Sequence, residues 1–502
     1  MTDISRAQAQ PPFVLVIDLG TSSVRAMLYD ANARAVQDFI ARRSYQADTN
    51  ESGQAVFDAR KMFNAFCAVL DELVAKVDFE IAAVAASSLA YNVLALDEHD
   101  EPLTPAYLYS DTQNARAVEQ LRAQYDWTLL YARTGCPLHT SYLPARLAWL
   151  RETQPEIFSR AAHWVSLHEY FLLKLFGRAR LSHSFAAWSG MLNHATLDWD
   201  EQILNLVGVA RAQMTTPGSA YLGLTGLRGE YASRWRALSE IAWLPALGDG
   251  ALANLGSGCA DETRVAITVG TSGAMRVVMD AQKAMQTLPR GLWLYRVDET
   301  DGLVGGSLNN GGNVFAYYAR TLQLPAHAEL ERALSLLEPD AHGLTLLPFF
   351  AGERSPGYRG DARAAVTGWS LSTTPVELWR ATLEAMAYRF AEIYDLLRAT
   401  IAAREMIAPR EMIASGAALI QSRAWVQILA DVLGVPVTVS GEAEASACGA
   451  ALVALRELGV IKNFSALPPA LGETYAPCAA HFEIYQRARE RQKVLYHSLL
   501  ER

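Results

Sequence analysis

Two short stretches decide the reading of this chain: Asp18-Leu-Gly-Thr-Ser-Ser-Val-Arg25 and Val269-Gly-Thr-Ser-Gly-Ala274. Each follows an apolar run rich in β-branched residues, 13–17 in the first case and 265–269 in the second, and Gly20 and Gly270 stand half of a 502-residue chain apart. After the first, residues 24–29 alternate in the manner of a half-buried strand. Each half is thus expected to open with a β-hairpin whose turn is glycine, threonine and serine. Glycine lets the backbone come close to an anion, and small hydroxyls with consecutive N–H groups donate to phosphate oxygens. One such turn is an ordinary hairpin. Two, one per half, suit a nucleotide gripped between two lobes.

The pattern outside the hairpins is mixed α/β. Thr374-Pro-Val-Glu377 is a capping box with proline at the first helical position, opening an amphipathic helix to about residue 404. Leu378, Leu383, Met386, Phe390, Ile393 and Leu397 form its apolar stripe. A helix over 422–433 stops at Gly434 and leads into a strand over 435–439. Glycine-rich stretches at 302–312 and 352–360 are expected to be functional loops. The halves meet near 244–250, dividing the chain into residues 11–246, 247–480 and a closing helix over 481–502.

Composition removes several classes. Of the residues, 51% are apolar and 19% charged, as in a globular protein. With 44 Lys and Arg against 53 Asp and Glu, the formal charge is -9 and no basic tract tracks a phosphate backbone, so nucleic acid is not expected as a partner. The longest uncharged apolar run, 81–96, is too short for a membrane helix. Residues 1–12 lack the apolar core of a secretory signal. Five scattered cysteines without a CxxC suit reduced thiols and a cytoplasmic location. There is no HExxH pair, no Gly-Lys dipeptide and hence no Walker A loop, no GxGxxG after a strand, and no GxSxG.

Phosphoryl transfer needs a phosphate cradle, a charge-neutralising metal and a carboxylate that receives the proton of the attacking hydroxyl. Two acids suit the latter tasks. Asp18 closes the first strand directly before the turn, where a carboxylate can hold a magnesium shell through water. Asp249 sits in Leu247-Gly-Asp-Gly250, with glycines that leave its side chain accessible.

Residues 13 to about 480 resemble the FGGY family of carbohydrate kinases. Ala364-Ala-Val-Thr-Gly-Trp369 and Glu377-Leu-Trp-Arg-Ala-Thr-Leu-Glu384 reproduce its C-terminal signature with one departure, Trp369, where a smaller aliphatic is usual. Ser141-Tyr-Leu-Pro-Ala-Arg-Leu-Ala-Trp-Leu150 is similar to the first signature but has Arg146 where lysine is usual. Gluconokinase-like members are similar at Leu197-Asp-Trp-Asp200, Asp249-Gly-Ala-Leu-Ala-Asn-Leu-Gly256, Asn309-Asn-Gly-Gly312 and Gly352-Glu-Arg-Ser-Pro356.

The resemblance implies a two-lobed α/β fold of the actin and hexokinase (ribonuclease H-like) type, with a cleft between duplicated domains, and ATP and Mg2+ as cofactors. It implies that Asp249 is the general base and Asp18 helps place the metal. Thr21, Ser22, Thr271 and Ser272 would hold phosphates, with Gly270 permitting close approach, and Gly312, Gly416 and Ala417 would line the adenosine pocket. For the acceptor, a sugar, sugar acid or polyol, the candidates are Ser88, Tyr91, Asp111, His139 and Glu169 together with Asp249. Where the family often has Met-His this chain has Ala90-Tyr91, and a Trp-x-Asp-x-Arg element is reduced to Tyr109-Ser-Asp-Thr-Gln113. The family also allows a homodimer. A non-catalytic nucleotide-driven switch and a regulatory pseudokinase on the same fold stand as rival readings.

Overall fold

The computed structural model describes residues 3–90, 92–402 and 411–500. The first sheet begins with the expected hairpin, β1 (Phe13–Leu19) and β2 (Ser23–Tyr29), antiparallel, with β3 (Ala35–Ser44) antiparallel to β2. The chain then crosses over to β4 (Ile81–Ser88), parallel to β1, and returns as β5 (Ala242–Trp243) and β6 (Leu247–Gly248), both parallel to β4.

The second half repeats this plan. β7 (Arg264–Val269) and β8 (Gly273–Asp280) form the hairpin. β9 (Trp293–Arg296) and β10 (Asp301–Leu308) extend that side, β10 lying antiparallel to β8. β11 (Glu411–Ser415) runs parallel to β7, followed by β12 (Val437–Ser440) and β13 (Leu471–Tyr475). Hairpin, antiparallel neighbour and parallel crossover occur in the same order in both sheets, so the short sequence echo marks a duplication of topology.

Alternation along β1 divides its side chains between two faces. Leu15, Ile17 and Leu19 pack with α1 (Ala59–Val74) and α2 (Leu167–Phe176). Val14 and Val16 face the other way, into a core completed by α3 (Asp249–Gly256) and, from near the end of the chain, α7 defined below.

In the second half, α4 (Gly312–Thr321) and α5 (Pro375–Ala402) share one core with β7 and β8. At the start of α5 the capping box is formed: Thr374 Oγ1 accepts the Glu377 N–H at 3.2 Å and Glu377 Oε2 accepts the Thr374 N–H at 2.8 Å. All six residues of the expected stripe are buried, and the expected end near 404 lies outside the described residues. α6 (Arg423–Leu433) is capped by Ser422 and stopped by Gly434 at φ +67°, as its sequence predicts. α7 (Ala445–Glu457) crosses α3 so closely that a side chain on Gly449 would land on the Leu252 carbonyl. α8 (Ala479–Leu500) lies against α5 and the 345–360 region, with Gln492 donating to the Leu346 carbonyl at 2.8 Å.

One expectation is corrected. Residues 302–308 are not a loop but most of β10, buried throughout. Its glycines leave no room for a side chain: a Cβ would meet Leu294 and Ala281 at Gly302, the Met275 carbonyl and Trp293 at Gly305, and Ile393 at Gly306.

Candidate active site

Strands β1 and β6 flank β4, and Asp18 and Leu247 are both in register with Ser87. Asp18 and Asp249, the residue that opens α3, therefore emerge at one end of the sheet, about 10 Å apart by strand spacing. Asp18 is buried and ion-paired with Arg25, its register partner on β2. Arg25 also pairs with Glu444, directly before α7. Fully buried Ser88 stands beside Leu19 and Gly248, next to Asp249.

Asp249 is half-buried. Its Oδ1 accepts the Gly250 N–H at 2.8 Å, and Ser446 Oγ donates to its carbonyl at 3.2 Å. Burial and the negative charge of Asp18 push its carboxyl up to about 6, against the pull of Arg276 and the Gly250 N–H. The flanking glycines have a reason the sequence did not reveal. A Cβ on Gly248 would stand 2.6 Å from the Trp188 indole, and one on Gly250 2.5 Å from it. Trp188, itself buried, stacks on Tyr295 of β9 with centroids 4.3 Å apart, so the backbone around Asp249 rests on an aromatic contact between the lobes.

Arg276 Nη2 donates to Thr268 Oγ1 at 2.7 Å, and Thr268 shares a 2.9 Å hydrogen bond with Ser415. Asp18 and Thr268 each precede the turn glycine by two residues, so each hairpin turn has an arginine-bonded polar side chain at its root. Thr21 and Ser22 are exposed in the first turn, closed by the Gly20 N–H on the Ser23 carbonyl at 3.0 Å. In the second turn Thr271 is exposed and Ser272 partly so. The Gly270 carbonyl accepts the Gly312 N–H at 2.8 Å, and Gly416, at φ +89°, abuts the Val269 backbone just before exposed Ala417. Gly270, Thr271, Ser272, Gly312, Gly416 and Ala417 thus gather at one place.

A cleft of about 1220 Å³ opens beside this cluster. Tyr109 and His139 line it from the first half of the chain; Thr271, Ser272, Asn309 and Arg354 line it from the second. Burial, with Arg354 and Arg122 nearby, lowers the His139 imidazole to about 3, leaving it neutral. Its Nδ1 accepts the Ser141 N–H at 3.2 Å, so the ring proton resides on Nε2.

Two candidate acceptor contacts, Asp111 and Glu169, are not among the residues that line the cleft. Asp111 is fully buried, with Arg146 Nη1 2.8 Å from its Oδ1 and the Ala55 N–H donating to its Oδ2 at 2.8 Å. The Gln113 N–H occupies Oδ1 as well, at 3.1 Å. That carboxylate is committed to holding loops together. Glu169 closes a capping box at the start of α2, accepting the Ser166 N–H at 2.8 Å, and faces a small internal cavity with Asn92 and Ser189 instead of the cleft. Tyr91 lies outside the described residues. Arg276, Arg354, Trp188 and Tyr109 are site residues that had no assigned role from sequence. Arg276 lies on the strand that follows the second turn, as Arg25 lies on the strand that follows the first.

Magnesium fits as a water-held ion. Asp18 and Asp249 repel each other at one end of the sheet, which a divalent cation would relieve, but Arg25 already occupies one side of Asp18. Among the described residues the one cluster of three or more potential metal-binding side chains is elsewhere, at Asp340, His342 and Glu384. Magnesium commonly uses one or two carboxylates plus phosphates and water, so the sparse donor set at Asp18 is compatible. No helix among the described residues is long and apolar enough to cross a membrane.

Residues 13–256 match the N-terminal domain of the FGGY family of carbohydrate kinases, and residues 265–458 match its C-terminal domain. A gluconokinase of Bacillus subtilis is 28% identical over 493 residues, covering 95% of this chain and 93% of that one. A glycerol kinase of Citrifermentans bemidjiense is 28% identical over 502 residues, covering 96% of each. Among solved structures, a gluconate kinase from Lactobacillus acidophilus superposes with a TM-score of 0.88 at 25% identity, covering 97% of this chain and 98% of that one. A xylulose kinase from the same organism gives 0.89 at 25% identity with the same coverage. Matched in order along both halves, the chain belongs to the FGGY family of carbohydrate kinases, phosphotransferases whose acceptor is an alcohol group.

Proposed function

We propose that the protein transfers the γ-phosphoryl group of ATP to a primary hydroxyl of a sugar, sugar acid or polyol, with Asp249 as general base. The observation that carries this reading is that Asp18, at the root of the first glycine-hydroxyl turn, and Asp249 emerge at one end of the first sheet, with Arg276 of the second hairpin close enough to act on Asp249. Thr21, Ser22, Thr271 and Ser272 hold the phosphates, and Gly312, Gly416 and Ala417 form the adenosine side, where only small residues leave the backbone open. The acceptor lies in the cleft with its reacting hydroxyl at Asp249. As the acceptor O–P bond forms and the Pγ–O bond to ADP breaks, the hydroxyl proton passes to Asp249. Proton transfer is late in a loose transition state, so a carboxylate of modest basicity suffices. Magnesium, when bound near Asp18, supplies positive charge to the phosphate oxygens. The aromatic contact of Trp188 with Tyr295 keeps Asp249 aligned with the half of the chain that carries the nucleotide.

The test is coupled ADP release over a panel of aldonates, ketoses and polyols, with Asp249→Asn as control. Acceptor-dependent ADP release that the Asn variant loses supports the reading. ATP binding without acceptor-dependent release would favour a switch or a pseudokinase.

A further inference from the structure

The chain carries a formal charge of -9, yet six arginines and only two acids line the cleft. Five of those arginines are at least partly exposed, a setting in which a cation is well hydrated and discriminates little. Arg354 is different. It is 7% exposed and still lines the cleft. Its loop is anchored on both sides of the arginine. The preceding Glu353 pairs with Arg389, accepts the Tyr496 hydroxyl at 2.8 Å and accepts the Gly357 N–H at 3.3 Å. The following Ser355 exchanges two bonds with Ser307, its N–H donating to the Ser307 carbonyl at 2.9 Å and its Oγ accepting the Ser307 N–H at 3.0 Å. A guanidinium set on so rigid a support is preorganised for its ligand.

Its surroundings give the direction. Tyr109 also lines the cleft, and its phenol is pushed up by burial and by Asp249 and drawn back by Arg354, so it lies near both charges. On the far side, the His139 ring meets Tyr358, four residues along the Arg354 loop, edge to face at 5.9 Å. Tyr358 holds a positive φ of 52°, unusual for a bulky residue, and so is fixed in place by its surroundings. The cleft wall that holds the Tyr109 phenol thus also carries a buried cation and a neutral imidazole N–H, with the Asp249 charge close enough to act on the phenol. Where relatives often carry His and Arg, the N-terminal half has Tyr91 and Gln113, and the Gln113 amide is turned to Ser52 at 3.4 Å.

We propose that Arg354 is the specificity-determining cation of the acceptor site, pairing with a carboxylate at the end of the acceptor opposite the hydroxyl offered to Asp249. The preferred acceptor class is then the aldonates, with neutral polyols of equal length as poor substitutes. A planar guanidinium can meet a carboxylate with two parallel N–H donors, and removal of water strengthens the pair. His139 Nε2–H is available to a neighbouring oxygen of the same acceptor. This inference rests on the kinase reading above and adds to it the chemical identity of the acceptor's far end.

The experiment compares steady-state kinetics with D-gluconate, its neutral amide and D-glucitol, in the wild type and in Arg354→Gln and Arg354→Lys, with the KM for ATP measured alongside. Gluconate should exceed both neutral compounds in kcat/KM by about a hundredfold in the wild type, in line with the loss of a buried charged partner. Arg354→Gln should erase that advantage by raising the KM for gluconate while leaving the KM for ATP within about twofold, and Arg354→Lys should keep part of it. A gluconate preference that survives in Arg354→Gln, or a KM for ATP that rises with it, would overturn the assignment. If the variants do not fold, the wild type still decides: equal use of gluconate and its amide refutes the inference and leaves the kinase reading intact. ADP release with no acceptor at all would overturn both.

Discussion

Asp249→Asn should do two opposite things at once. The carboxyl is raised from 3.8 to about 6 by burial and by Asp18, so the folded state resists its ionisation. A difference of about two pH units corresponds to about 3 kcal/mol at full effect, and the partial exposure of the side chain trims this to about 2 kcal/mol. Because the folded state holds this proton more tightly than the unfolded chain, the penalty grows as pH rises from about 4 to about 6 and is constant above. At pH 7.5, free of ligand and magnesium, Asp249→Asn should therefore be about 2 kcal/mol more stable than the wild type, and at pH 4 the two should agree within about 1 kcal/mol. Turnover should fall by about 10² to 10⁴, the usual contribution of a positioned base. Urea denaturation at the two pH values, with coupled ADP release at pH 7.5, measures both. An Asn variant that is less stable at pH 7.5 would refute the electrostatic argument, and one that keeps near-wild-type turnover would refute the base assignment.

The same acid limb should appear in the wild-type kcat/KM profile, with activity falling as pH drops through about 6. Asp18→Asn removes the like charge and should move that limb to lower pH, which a pH titration of the variant would reveal. Arg146→Ala leaves Asp111 buried and unpaired and should lower stability by about 3 to 5 kcal/mol in urea melts. Asp111→Asn should leave the acceptor ranking unchanged, since its carboxylate is already engaged by Arg146 and by the Ala55 and Gln113 N–H groups. Gly449→Val forces α7 off α3 and should cost at least about 3 kcal/mol, with a drop in kcat larger than any change in the KM for ATP, because Asp249 opens α3.

The hairpins, the capping box and the helix ending at Gly434 were legible because each is a local device: alternation, a reciprocal hydrogen bond, a left-handed stop. The duplicated topology was legible from Gly20 and Gly270 because both halves need the same turn. What escaped were matters of partnership across distance. Nothing near Asp111 in sequence announces Arg146, so an acid committed to structure looked available. Glu169 looked like an acceptor contact because the cavity it faces near Asn92 is visible only when folded. The glycines of 302–308 suggested a loop, since the crowding by Met275 and Ile393 comes from other elements. Arg354 lay in a quoted motif without a role, for its value depends on Tyr109, His139 and a cleft that only the two halves together create.

α7 has a consequence for biosynthesis. The face of the first sheet bearing Val14 and Val16 waits for Ala447 to Leu455, which leave the ribosome after most of the other residues have done so. Until then a nascent amino-terminal fragment carries an uncovered greasy surface that invites holdase chaperones or self-association. Expressed as two pieces cut between the matched domains, the halves should each behave poorly alone and recover together, since the later piece supplies the lid on the earlier one's interior.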